Sequence, residues 1–399
     1  MRRYIGGTPA IGTYLPDRLY LDHAATTPPT AAARAAVADG LARWANPSSP
    51  HAEGRAARAA LEAARAEIAA AHGWTGEVIL TGGATEALSI TLNRALVARR
   101  LVSAVEHDAV LRVCPAAEVL PVGRDGILNP PRDGEVARAQ RGSEGLAEYC
   151  PSPSVIAARR HLPVPGRMDD PSLVCLQWAN SETGVRQPIA AIAEVVHAAG
   201  HLLLVDAAQM PAACADIAMA DFVALSAHKH GGPPGIGALL VRDLGTLAPT
   251  GGQERGYRPG TENLPGALGW AAALAEPEPV ERWAALRARI DDAVTRSGGE
   301  VIAAVSPRHP AIGSYRMPGV AAAAQLIRFD LAGIAVSAGS ACSSGSLKPS
   351  HVLAALGYSD EAGREVIRIS FGRDTTEADV ERAIAAWRDV ARATSRFAA

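Results

Sequence analysis

The chain has 399 residues, 48% of them hydrophobic, enough to bury a sizeable core and at this length to fill two domains. Its 39 Lys and Arg against 41 Asp and Glu leave a formal net charge of −2, which removes the electrostatic case for nucleic acid or an anionic membrane as a partner. The five cysteines (Cys114, Cys150, Cys175, Cys214 and Cys342) are odd in number, widely spaced and free of any C-x-x-C pair, which argues against a disulfide framework or a zinc site and for the cytoplasm. No apolar run approaches the roughly 18 residues a bilayer span needs. Met1-Arg2-Arg3 leads to Gly, Thr and Pro rather than an apolar stretch, so no secretory signal is expected.

In chain order, an Ala/Arg/Glu-rich helix is predicted over Glu53–His72, stopped by Gly73. A strand at Glu77–Thr81 and a helix over Thr85–Arg99, apolar at 88, 92, 95 and 96, come next. The apolar run Leu101–Val105 reads as a second strand. Residues from about 129 to 170 are rich in Arg, Pro and Gly with little periodicity, and read as a long surface insertion without chemistry. Strands are expected at Ser172–Trp178, His201–Asp206, Asp221–Ser226 and Gly235–Arg242. A helix over Ile189–Ala199 starts after Pro188 and ends at Gly200. This alternation predicts an α/β fold with a mainly parallel sheet covered by helices on both faces.

The pattern changes near Pro265. Helices over 265–276 and 279–297 precede a strand near 300–305, a strand at Val366–Phe371 and a final helix at about 376–394. The expected division is a large domain at 18–264, including the insertion, and a smaller α+β domain at 265–399 joined by residues 1–17.

Five short motifs carry chemistry. Lys229 lies in Ser226-Ala227-His228-Lys229, just past a strand, where open α/β sheets bind ligands. A desolvated lysine there can form a Schiff base, and Ser226 and His228 can donate to a phosphate. Asp206 ends an apolar strand; it either caps the following turn or pairs with a cation such as a pyridinium N–H. Thr81-Gly82-Gly83-Ala84-Thr85 leaves a strand and opens a helix, as an anion site does and as ordinary strand–helix turns also do. His107, after Glu106, is either structural or a ring that stacks on an aromatic cofactor and moves protons. Cys342 sits within Ser337–Ser346, a run of almost only Ser, Gly and Ala that is expected to be flexible and exposed. A thiol there contributes no burial, so a mobile nucleophile is the better reading.

Together these residues resemble the fold-type I, class V pyridoxal-phosphate (PLP) enzymes, and among them the NifS/IscS-like cysteine desulfurases. The resemblance runs from about Tyr20 to Arg373. It includes Leu21-Asp22-His23-Ala24-Ala25-Thr26-Thr27-Pro28, Asn46-Pro47-Ser48-Ser49-Pro50-His51, Glu106-His107, Asp206-Ala207-Ala208-Gln209, Arg258-Pro259-Gly260-Thr261-Glu262-Asn263 and Ile367-Arg368-Ile369-Ser370. It implies that Lys229 attaches PLP and that Asp206 and Gln209 hold its ring nitrogen and phenolic oxygen. It further implies that His107 stacks on the ring, with Ser181 near it, and that Ala84, Thr85, Ser226 and His228 hold the phosphate. Thr261 would reach the phosphate of a neighbouring subunit, which implies a homodimer. Arg368 and Asn180 would bind the substrate L-cysteine, Arg368 through its carboxylate. Cys342 would take the sulfur as a persulfide, release alanine and pass sulfur to an acceptor protein of unnamed identity, in the manner of sulfur mobilisation for iron–sulfur clusters.

Three features depart from the family's pattern. Asn180-Ser181-Glu182 stands where Asn-Asn-Glu is usual. The stretch between His107 and Ser181 is longer than expected. Only 31 residues follow Arg368, where many relatives continue into a tail that helps dock a scaffold protein, so such docking does not follow from the resemblance. Selenocysteine lyase or another class V reaction is the nearest alternative; an aminotransferase would leave Cys342 unused. A weakly active PLP-fold binding or regulatory protein is the alternative of another kind.

Overall fold

The computed structural model describes residues 18–128, 171–212, 215–339 and 349–395. The Arg/Pro/Gly-rich insertion, the Cys342 segment and residues 1–17 lie outside these ranges, and so do the expectations attached to them.

A short strand β1 (Leu19–Tyr20) precedes helices α1 (Ala31–Arg43) and α2 (Ala52–Ala71). The His51 ring caps α2, accepting the Gly54 N–H at 3.2 Å. Then come β2 (Glu77–Thr81), α3 (Ala84–Arg94), β3 (Arg99–Ser103), α4 (Asp108–Leu111) and β4 (Glu118–Leu120). After the insertion follow β5 (Ser172–Gln177), α5 (Ile189–Ala198), β6 (Leu202–Asp206), β7 (Phe222–Ser226) and β8 (Gly237–Val241).

The expected helix over Thr85–Arg99 overruns the real one. α3 ends at Arg94 because Ala95 turns extended and pairs with Leu247. That pairing uses backbone groups a further helical turn would need. Leu96, counted as part of the apolar stripe, is 58% exposed, and β3 starts at Arg99 rather than Leu101.

These strands form one seven-stranded sheet in the order β2-β8-β7-β6-β5-β3-β4. β8 runs antiparallel to both neighbours, and the pairs β3–β4, β3–β5, β5–β6 and β6–β7 are parallel. β2 therefore points the same way as the five parallel strands. Side chains alternate between two cores, as the two-residue period of a strand requires. Leu203, Val205, Val223 and Leu225 pack with Leu61 and Ile68 of α2, while Leu204, Phe222 and Ala224 pack with Leu88 and Leu92 of α3. Every residue of β5 and β7 is buried, as for parallel strands covered on both faces.

Beyond the sheet, α6 (Leu264–Leu274) and α7 (Val280–Arg296) lead to β9 (Glu300–Val301) and β10 (Ile312–Arg316). The strand expected over 300–305 is only two residues long, because Ala303 adopts φ +50° and turns the chain. α8 (Ala322–Leu331), β11 (Ile334–Ala335), α9 (His351–Ala355), α10 (Asp360–Gly363), β12 (Val366–Ser370) and α11 (Glu377–Ser395) complete the order. β12, β10 and β9 form an antiparallel sheet. Trp283 and Ile290 of α7 and Trp387 of α11 pack in one cluster with Tyr315 and Ile367 from that sheet. β1 pairs in parallel with β11, and Leu19 and Leu21 join this cluster. Among the described residues, no helix is long and apolar enough to cross a membrane.

Candidate active site

Because β2, β3, β5, β6 and β7 point one way, their carboxyl ends share one edge of the sheet. That edge collects the polar motifs of the sequence. β2 delivers Gly82-Gly83 to the start of α3, β3 delivers Glu106-His107, and β5 delivers Asn180-Ser181. β6 ends on Asp206, with Gln209 in the next turn, and β7 ends on Ser226 with Lys229 one helical turn later.

Lys229 donates from Nζ to the Ala24 carbonyl at 2.7 Å, and Gln209 Nε2 donates to the same oxygen at 2.9 Å. The N-terminal Leu21–Thr27 segment thus closes over the sheet edge. Burial, helped by the like charge of Arg368, lowers the Lys229 pKa to about 8 against the pull of Asp206 and Asp22. An amine so placed is neutral often enough to attack a carbonyl. Asp206 is 8% exposed. Burial raises its pKa, countered by the Ala208 N–H on Oδ1 at 3.0 Å and by the charges of His107 and Lys229. Glu106, also buried, is pushed well above the usual carboxylate range by desolvation, with Asp206 adding to the shift.

His107 caps α4. Its Nδ1 accepts the Ala109 N–H at 3.1 Å, so the neutral ring carries its proton on Nε2. Desolvation lowers its pKa, partly offset by Asp206. Asn180 Oδ1 accepts the N–H groups of Glu182 and Thr183 at 2.9 and 2.8 Å, and Nδ2 donates to Val105 O at 3.1 Å. Its side chain is therefore committed to holding the β3 and β5 exits together. Ser181 acts through its carbonyl, which accepts from Arg368 Nη1 at 2.8 Å.

Arg368, on β12, is 5% exposed and reaches this edge from the C-terminal sheet. Its Nη2 donates to Asp22 Oδ1 at 2.6 Å, and its Nε has no partner among the described residues. Ser337 and Ala338 are each only 9% exposed, although they begin the run expected to be open. Ser337 exchanges backbone hydrogen bonds with Arg368, which draws that end of the run inward. Thr261 is exposed.

At the start of α3, Gly83 holds φ +147° and no side chain caps the helix. A Cβ on Gly83 would meet nothing within 4 Å, so the turn is an open cradle at the positive end of an 11-residue helix. Thr85 is exposed beside it, and Ser226 is buried nearby at the end of β7. His228 Nδ1 lies 3.1 Å from Thr26 Oγ1, and burial holds its pKa down to about 4. A phosphate-bearing aldehyde with a basic ring nitrogen matches this donor set: cradle for the anion, amine for the carbonyl, buried carboxylate for the ring.

Asp22, Glu182 and Ser350 take part although their sequence settings gave them no expected role. Asp22 is the acid that holds Arg368. Glu182 accepts from Ser350 Oγ at 2.6 Å, and its carboxyl is raised by burial. The signal for Asp22 was a charge ending the apolar Leu19–Leu21 stretch; nothing local points to the Glu182–Ser350 pair.

Residues 166–383 match the aminotransferase class-V family. A cysteine desulfurase of Gluconacetobacter diazotrophicus is 35% identical over 390 residues, covering 92% of this chain and 91% of that one. The chain belongs to the cysteine desulfurases of the class-V aminotransferase family. Another relative, a cysteine desulfurase of Cereibacter sphaeroides, is 35% identical over 92% of this chain and 94% of its own. Among solved structures, a NifS-like protein from Rickettsia africae superposes with a TM-score of 0.76 at 26% identity, over 94% of this chain and 99% of that one. Members of this family generally depend on PLP, which agrees with the fold-type I architecture and with the donor set at the sheet edge.

Proposed function

We propose that this enzyme removes sulfur from L-cysteine, releases L-alanine and holds the sulfur as a persulfide on Cys342 for transfer to an acceptor protein. The observation that carries the reading is the convergence of a buried, easily neutralised Lys229, the Asp206 carboxylate and the Arg368 guanidinium on one edge of the sheet. Lys229 would attach PLP, with Asp206 facing the ring nitrogen and Gln209 the phenolic oxygen. The Gly82–Thr85 turn, Ser226 and His228 would hold the phosphate, with Thr261 supplied by a partner subunit in a homodimer. When bound, PLP withdraws electrons from the substrate carbons so that the carbon–sulfur bond can break.

The chain's own residues do the rest. Arg368, pinned by Asp22 and the Ser181 carbonyl, presents a fixed guanidinium to the substrate carboxylate. His107, with its proton on Nε2, can give and take a proton at that atom. Lys229, its pKa lowered to about 8 by burial, could hold or move a substrate proton at Nζ. The thiolate of Cys342 would form a sulfur–sulfur bond to the substrate sulfur as the carbon–sulfur bond breaks; the bonding pair stays with the carbon, which takes a proton and leaves as alanine, and the enzyme keeps the persulfide.

We further propose a cofactor-holding part at 18–264 and a C-terminal part at 265–399 completed by residues 1–17. Two hydrophobic clusters support a division into two parts, but α6 packs with the first through Ala267, Trp270 and Ala271, Leu19 and Leu21 pack with the second, and Val105 and Val185 join Ile302 and Val352 across the boundary. The cysteine pattern supports a cytoplasmic setting.

Purified protein given L-cysteine and a thiol reductant should yield alanine and sulfide in equal amounts. Cys342→Ser should keep the PLP absorbance and release almost no sulfide. Near-normal sulfide from that variant would remove Cys342 from the mechanism and leave a direct lyase.

A further inference from the structure

The residue that follows Lys229 is a histidine with no part in the scheme above. His230 is 7% exposed, and its ring lies between two acceptors. Nε2 is 3.1 Å from the Ala208 carbonyl oxygen, and Nδ1 is 3.2 Å from Glu278 Oε1. A carbonyl only accepts. The Glu278 carboxyl is an acceptor as well, because the Arg373 guanidinium, 3.5 Å from Oε1, favours its ionised form. A neutral imidazole has one N–H and cannot donate to both sides. The two bonds coexist only when the ring carries two protons.

These bonds join parts of the chain that the site needs in register. The Ala208 N–H is already held by Asp206 Oδ1 at 3.0 Å, so His230 grips the same turn through its carbonyl. Glu278 lies in the connection between α6 and α7. Arg373 leaves the end of β12, the strand of Arg368, and its Nη1 lies 3.5 Å from Glu278 Oε1. Its Nη2 donates to the carbonyls of His230 at 3.3 Å, Ala273 at 3.3 Å and Glu276 at 3.0 Å. A cavity of about 30 Å³ touches Lys229, Gln209, His230, Glu278 and Arg373, so the cluster lies directly behind the lysine. The other histidines facing it do not compete for the charge. Burial lowers His72 and His228 to about 4 and His309 to about 3, so all three are neutral.

Resting on the cofactor reading above, we propose that His230 is a positioning residue. It is a buried imidazolium that ties Lys229 to the Asp206 turn and, through Glu278 and Arg373, to the strand that carries Arg368.

Long-range nitrogen-15 NMR of the cofactor-free chain, labelled at histidine, counts the protons directly. At about pH 7 one histidine should show both nitrogens at imidazolium shifts, and the signal should vanish in His230→Gln. A His230 signal already at a neutral tautomer by about pH 7 overturns the proposal, whether or not the cofactor reading stands. Glu278→Gln, which must perturb the same signal, supplies the assignment if His230→Gln does not fold.

In the loaded enzyme, His230→Gln should lower kcat about tenfold and weaken PLP binding by a similar factor, with KM for cysteine within about twofold because Asp22 and the Ser181 carbonyl still hold Arg368. Glu278→Gln should match it, and the double variant should be no worse than either single one, since both act through one bond. Losses that multiply, or a kcat within about twofold of the unaltered enzyme, overturn the positioning role. An unaltered chain that takes up no PLP would instead defeat the cofactor reading, and the NMR result would still decide the state of His230.

Discussion

Taking the Lys229 ammonium out of water costs more than its neighbours return, and this has a measurable pH signature. Its folded-state pKa is about 8, against 10.5 for a free lysine side chain. Below about pH 8 both folded and unfolded chains hold the proton, and the burial penalty is present in full. Between about 8 and 10.5 the unfolded chain binds more protons, so the penalty fades and stability rises with pH. Cofactor-free Lys229→Met should therefore be more stable than the unaltered chain by about 2 kcal/mol at pH 7, allowing for some solvent contact. Urea titrations should show that advantage shrinking toward pH 10; a constant difference would place its origin elsewhere. Ser181 offers a second test. Its carbonyl holds Arg368 whatever side chain it bears, and Asn180 is fully engaged with its own turn. Ser181→Asn should then change cysteine turnover by no more than about tenfold, equivalent to 1.4 kcal/mol. A gain of several hundredfold would show that the serine impairs the natural enzyme.

At the scale of elements, the site depends on how closely the α3 turn sits against the sheet. Gly237 opens β8 opposite Thr81, and a Cβ there would lie 2.6 Å from Gly83 Cα and meet the Leu225 carbonyl oxygen as well. Both obstacles are backbone, so neither can rotate away. Gly237→Ala should destabilise the fold by about 2–3 kcal/mol and weaken PLP binding, because relief requires moving the Gly83 cradle. Denaturant unfolding and cofactor titration measure the two effects. Normal stability with normal PLP affinity would mean that the turn has slack. The same edge is braced from behind by Glu254, 5% exposed, which takes two bonds from Arg65 at 2.6 and 3.0 Å and the Leu80 N–H at 2.9 Å. That acid lies far in sequence from α2 and β2, which it joins.

For the whole molecule, Arg368 is the residue that makes two sheets into one site. It stands on the antiparallel C-terminal sheet, yet its partners are Asp22 and Ser181. If the active unit is a homodimer, sedimentation should give twice the 41.2 kDa chain mass, and Thr261→Ala should weaken PLP binding without dissociating it. A monomer with full activity would refute that part of the reading. Much of this enzyme was legible in the residues alone. Apolar runs ended by Asp206, Ser226 and the Gly82-Gly83 pair marked where parallel strands stop, because strand burial and turn chemistry are local properties. The short strand at Glu300 and the early end of α3 were not legible, since a positive φ at Ala303 and the Ala95–Leu247 pairing come from contacts distant in sequence. Sequence determined which residues have the chemistry: an amine, a carboxylate, a guanidinium and an exposed-type thiol segment. Tertiary structure alone decided their electrostatics and partners. Only packing could desolvate Lys229, give Arg368 to Asp22 across 346 residues, and place His230 between a carbonyl and a carboxylate.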